Sequence, residues 1–191
     1  MVAKIITAFF LGIGLAMDAC AVSMANGLKE KTMKYRKILI IALLFGLFQG
    51  FMPLIGYAVG SSILTKIEWI IPWVALILLG IIGVNMILEG IDPEDDEEEN
   101  DKTSLTFKVL LVQAFATSID ALSVGFTISN YKLFEAIISS SIICCVTAII
   151  CLFAVNIGKK FGTKLGNKAE IIGGIILILI GIEIFVTGIF L

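Results

Sequence analysis

Ala16-Met17-Asp18-Ala19-Cys20-Ala21-Val22 sets an aspartate inside an apolar run of membrane-spanning length. Ser118-Ile119-Asp120-Ala121-Leu122-Ser123-Val124 repeats the arrangement 102 residues later. Even on mild insertion scales an aspartate at the bilayer centre costs about 2.5–3.5 kcal/mol, so such a residue marks function by default. Two of them at matching positions in two halves of one chain point to a site at a repeat interface, the arrangement of a small cation transporter.

The surrounding composition agrees. The chain is 59% hydrophobic with a mean hydropathy of +1.05, which excludes an ordinary soluble domain. Six apolar stretches are visible, at 5–27, 38–60, 69–91, 107–129, 134–157 and 171–191. Each is about 20 residues or slightly more, enough for a helix to cross the hydrocarbon core. The expected fold is therefore an all-α integral membrane protein with six transmembrane helices arranged as two inverted three-helix repeats. Residues 1–91 form the first repeat, 92–106 an acidic cytoplasmic linker, and 107–191 the second repeat.

A cleaved signal at the N-terminus is not expected. Lys4 is its only basic residue, and the apolar character continues past Cys20 to Met24. The same motif at Asp120, where no signal can exist, supports a retained helix.

Basic residues set the expected orientation. Lys29, Lys31, Lys34, Arg36, Lys37, Lys102, Lys108, Lys159, Lys160, Lys164 and Lys168 fall on one side of the six spans, and Lys4, Lys66 and Lys132 on the other. Eleven against three puts the first group in the cytoplasm and both termini outside. The halves align beyond the aspartates: at an offset of 98, Leu54 falls on Leu152, Gly60 on Gly158, Gly83 on Gly181 and Gly90 on Gly188. Three spans per unit is an odd number, so the second unit enters the membrane upside down.

The acidic run Asp92–Asp101 reads as a solvated connector, with an electrostatic collector of cations as the sharper alternative. Its acids lack the spacing of a calcium loop.

Helical spacing from Asp18 brings Gly14, Leu15, Ala21, Val22 and Ala25 onto one face. From Asp120 it brings Ala116, Thr117, Ser123, Val124 and Thr127, a face with three hydroxyls. The first and fourth helices are thus expected to form a close-packed central pair with facing carboxylates. Asp18, Asp120, Thr117 and Ser123 head the candidate metal ligands. Asn85 and Glu183 match under the offset of 98 and are grouped with them, as is Gln49, which precedes the helix-loosening Pro53. Glu89 reads equally as a ligand and as a snorkelling surface carboxylate. Gln113 and Asn156 are further polar groups within spans, and Glu170 suits a helix start.

Two ionised carboxylates repel unless a cation or shared proton balances them. The chain has no histidine, and its four cysteines (Cys20, Cys144, Cys145, Cys151) read as packing residues without a C-x-x-C pair. Carboxylate, carbonyl and hydroxyl oxygens favour magnesium, calcium or manganese. No phosphate-binding loop is present, so ATP-driven pumping is unsupported. Export of a divalent cation against 100 mV costs about 4.6 kcal/mol, so coupling is required. Exchange for two protons on the same two aspartates would be electroneutral. No prosthetic group and no nucleic-acid partner are expected.

The duplicated motif, with Pro53-Leu54-Ile55-Gly56, Leu88-Glu89-Gly90, the acidic middle loop and Lys168-Ala169-Glu170-Ile171-Ile172-Gly173-Gly174, resembles the bacterial MntP family of manganese efflux pumps. The resemblance spans essentially the whole chain. It implies a multi-pass plasma-membrane protein exporting Mn²⁺, within a superfamily that includes lysine exporters. It matches Asp18 and Asp120 to the family's intramembrane acids; some members carry a glutamate where this chain has Gln49. The alternatives are an exporter of calcium or a cationic amino acid, an intramembrane aspartyl protease, and a non-transporting scaffold. The protease reading is opposed by the absence of Gly-x-Gly-Asp and by the symmetry of the repeat, since an acid–base pair must be made unequal. An enzyme is therefore not expected. Six helices suffice for a monomeric pathway and also permit a homodimer.

Overall fold

The computed structural model describes residues 2–59, 71–91, 105–128, 131–165 and 168–190, and among these it is entirely helical. The helices are α1 (Val2–Lys29), α2 (Tyr35–Val59), α3 (Ile71–Ile91), α4 (Phe107–Thr117), α5 (Ile119–Thr127), α6 (Leu133–Leu165) and α7 (Lys168–Phe190). Four of them, α1, α2, α6 and α7, are long and apolar enough to cross a membrane, and a fifth span is obtained if α4 and α5 count as one bent helix. In α3 the apolar stretch Leu76–Ile91 is shorter. Most of the expected linker, Gly60 and Lys66 lie outside the described residues.

The bundle is apolar on its outside as well as its inside. On α2, Leu39, Leu43, Leu47, Phe51 and Ile55 recur every four residues and are all exposed, while Ile38, Ile41, Ala42 and Phe45 are buried. A soluble protein would not expose so regular an aliphatic stripe; in a bilayer it is the lipid-facing surface. Polar side chains are correspondingly drawn inward: Ser23, Asn26, Gln49 and Gln113 are completely buried.

Helix partners are chosen by glycine. The α1 helix packs chiefly along α6, α2 along α6 and α5, and α3 along α7. A Cβ at Gly27 would meet the Val155 carbonyl and one at Gly158 the Met24 carbonyl, so α1 and α6 touch backbone to backbone. At Gly56 and Gly125 the same holds between α2 and α5, where a Cβ would strike the carbonyls of Leu122 and Pro53. Small residues allow this approach, and in lipid close packing is a main source of helix association. The expected close pairing of the first and fourth helices is therefore corrected. Gly14, expected to assist it, has open space beside it.

Ion pairs tie the ends of the bundle. Lys4 Nζ lies 2.7 Å from a Glu135 oxygen and 4.1 Å from the centre of the Tyr131 ring. At the opposite end Lys29 pairs with Glu89 at 2.8 Å and Lys31 with Glu170 at 3.4 Å. Glu30 accepts from Lys37 and from the Leu105 amide at 3.1 Å.

Candidate functional site

The second aspartate lies just beyond a break in its helix. α4 ends at Thr117 and α5 starts at Ile119, with a bend of 41° between them. The local cause is a run of hydroxyls bonding to their own helix. Thr117 Oγ1 donates to the Gln113 carbonyl at 3.0 Å, and Ser118 Oγ donates to the Phe115 carbonyl at 3.0 Å. Such back-bonding competes with the backbone ladder and bends helices. Ser118 takes φ −104° and ψ 5°, in the sparsely allowed bridge region of backbone space.

The break gives Asp120 a place in the first turn of α5. One of its oxygens accepts the Ala121 amide at 2.8 Å. A negative charge there also meets the positive end of the half-helix dipole. Broken helices whose ends face a charged cargo are the recurring device of secondary transporters.

Gln49 joins this aspartate to α1, the helix that carries Asp18. Fully buried on α2, it donates through Nε2 to the Leu15 carbonyl of α1 at 2.8 Å and to Asp120 Oδ1 at a long 3.4 Å. Its Oε1 is buried without a hydrogen-bond partner. Pro53, four residues on, cannot supply the amide that the Gln49 backbone carbonyl would otherwise meet. One residue thus offers an unpartnered side-chain oxygen and a backbone carbonyl that lacks its usual helical donor. Asp18 is half-buried on α1, three residues beyond the Leu15 carbonyl that accepts from Gln49.

The remaining candidates fall in different places. Thr117 is buried but its hydroxyl is engaged by its own helix. Ser123 is exposed, one turn beyond an equally exposed Asp120. Asn85 and Glu183 are exposed as well. Glu89 is committed to Lys29. Among the described residues no group of three or more His, Cys, Asp or Glu side chains gathers around a point.

What the arrangement offers is two carboxylates with neutral oxygens beside them. That is a hard donor set, suited to a divalent cation held briefly and not locked in place. The break at Ser118 and the bridging role of Gln49 were not legible from apolar periodicity, though Thr117-Ser118 directly before the motif is a signal that could have suggested the bend.

Comparison with known proteins agrees with this geometry. A family model described as "Mntp: Putative manganese efflux pump" matches residues 32–185. The protein named "Putative manganese efflux pump MntP" in Ruminiclostridium cellulolyticum is 49% identical over 180 residues, covering 94% of each chain. Its namesake in Methanobrevibacter smithii is 42% identical over 181 residues, covering 95% of this chain and 96% of its own. No solved structure matches. With a full-length alignment at this identity and an aspartate-bearing broken helix inside an apolar bundle, the chain belongs to the Mntp family.

Proposed function

We propose that this protein is a secondary transporter, not an enzyme, that exports manganese(II) from the cytoplasm by exchange with protons at Asp18 and Asp120. The names borne by its relatives supply the substrate and direction. The observation that supports the mechanism is Gln49, which bonds to Asp120 on the broken helix and, on the continuous one, to the Leu15 carbonyl three residues before Asp18. Two carboxylates balance one divalent cation or accept two protons, so the same pair alternates between cargo and counter-ion without net charge movement.

The inverted repeat belongs to the same reading. Gly83 packs on Gly174, and Gly181 packs beside Leu76. Adding 98 to Gly83 gives Gly181, and adding 98 to Leu76 gives Gly174, so one contact becomes the other when the halves are exchanged. Residues 1–91 and 107–191 are the two units, both termini face outside the cytoplasm, and 92–106 joins the units on the inner face.

Asp18→Asn and Asp120→Asn test the site. Asparagine keeps the size and removes one of the two charges. Each variant is expected to reach wild-type levels in the membrane and to leave cells as manganese-sensitive as cells lacking the protein. Full resistance in both variants overturns the site; loss of function only through loss of protein makes the aspartates structural.

A further inference from the structure

Two helical turns from the aspartates, α1 and α4 hold a second polar cluster that the exchange mechanism does not use. Asn26 lies eight residues beyond Asp18, and Gln113 seven residues before Asp120. At 1.5 Å per residue each is displaced by about 10–12 Å toward the Lys29 end of the bundle. Asn26 Nδ2 donates to Gln113 Oε1 at 2.8 Å. Both side chains are completely buried, as is Ser23. The wall around them is apolar, with Val22, Ala25, Leu110 and Ala114 in the main core.

One hydrogen bond does not satisfy this group. Asn26 Oδ1 and Gln113 Nε2 are both buried without a hydrogen-bond partner. Turning both amides around would exchange the orphans but still leave one amide oxygen and one NH₂ unmatched. Leaving a buried polar atom unmet is costly, and two in one bonded pair ask for a ligand. The pair keeps a free neutral oxygen in either orientation, and water or a partly hydrated cation can complete it.

We propose that Asn26 and Gln113 form a second, uncharged cation station through which Mn²⁺ passes between the cytoplasm and the aspartate pair. The inference rests on the export reading above, which makes the Lys29 end the cytoplasmic one. A neutral station suits this place: it replaces part of a hydration shell inside an apolar barrier without holding a dication so tightly that it cannot move on. Polar side chains can also serve only as glue between helices, and the experiment separates the two.

Initial rates of Mn²⁺ uptake into inside-out vesicles, as a function of Mn²⁺ concentration, are compared at measured membrane levels. The wild type is set against the double variant Asn26→Leu/Gln113→Leu and against Asn26→Asp. Replacing both amides by apolar groups of similar shape is nearly neutral for packing. If the pair is only glue, the double variant therefore keeps the wild-type KM, and this result overturns the proposal. If it is a station, kcat/KM falls about tenfold or more through a raised KM, in the range seen for residues supporting a metal site. Asn26→Asp adds charge to the station, so KM should fall and turnover should slow as the ion is held. An unchanged KM in Asn26→Asp also overturns the proposal, and this variant decides alone should the double variant not insert. Asp120→Asn in the same assay separates the two readings: transport retained there removes the aspartate site whatever the amide variants do.

Discussion

Asp18 and Asp120 sit in nearly the same local sequence, yet the chain builds them into different structures. Asp18 projects from the unbroken α1, and among the described residues its carboxylate receives no hydrogen bond. Asp120 begins a half-helix and is held by the Ala121 amide and by Gln49. The difference lies in what precedes them: Leu15-Ala16-Met17 continues a helix, whereas Thr117-Ser118 turns its hydroxyls back onto the ladder. Two acids in like sequence are thus unlike in how firmly they are held: Asp120 is fixed by its neighbours, and Asp18 is free to adjust.

The sharpest test of that contrast is to lengthen each side chain by one methylene. Asp120→Glu moves the carboxylate off the Ala121 amide by more than an ångström, and displacement on that scale costs on the order of a hundredfold in rate. Asp18→Glu, with no hydrogen bond to lose, is expected to keep manganese export within about tenfold, the cost commonly attached to a smaller perturbation at a metal site. Vesicle transport rates at equal protein levels measure both, and equal losses would remove the distinction.

Gln49→Leu acts on the link between Asp120 and the helix that carries Asp18. It removes the donor to the Leu15 carbonyl and to Asp120 together with the unpaired Oε1. An isosteric apolar side chain leaves the packing of α2 largely intact, so the expected change is a rise of about tenfold in KM for manganese with little loss of protein. A wild-type KM would show that Gln49 merely fills space.

The smallest effect is expected at the break itself. Ser118→Ala deletes a hydroxyl bond to the Phe115 carbonyl, a neutral contact with a net contribution of about 0.5–1.5 kcal/mol. Thr117 remains to bend the helix, so a change in transport of less than about fivefold is expected. The thermal midpoint of the purified protein in detergent measures the stability change. Combining Ser118→Ala with Thr117→Val should lower transport well beyond the single change if the two hydroxyls together keep the half-helix open.

How far the sequence could be read depended on the kind of interaction involved. Membrane class and the two acids are properties of single residues and of their running average, and they stood in the amino-acid order. The helix ends matched the apolar runs at α2, where a span expected over 38–60 is helical from Tyr35 to Val59, and less well at α6, which continues to Leu165. That extension is held by tertiary contacts: Lys159 Nζ reaches the Met33 carbonyl at 2.7 Å, and Gly162 lies against Leu28.

By itself, then, the sequence determined that the described segments are apolar helices and that two acids stand within apolar runs of like sequence. Transfer from water to hydrocarbon is a cost each residue bears alone, so a running count suffices to read it. Which helices meet was decided only in three dimensions. A glycine permits close approach wherever it stands, but only the fold sets Gly158 against the Met24 carbonyl and Gly56 against that of Leu122. The same holds for the polar groups. Gln49 reaching Asp120 across 71 positions and Asn26 reaching Gln113 across 87 are pairwise matches of direction and distance, and these arise when the bundle closes.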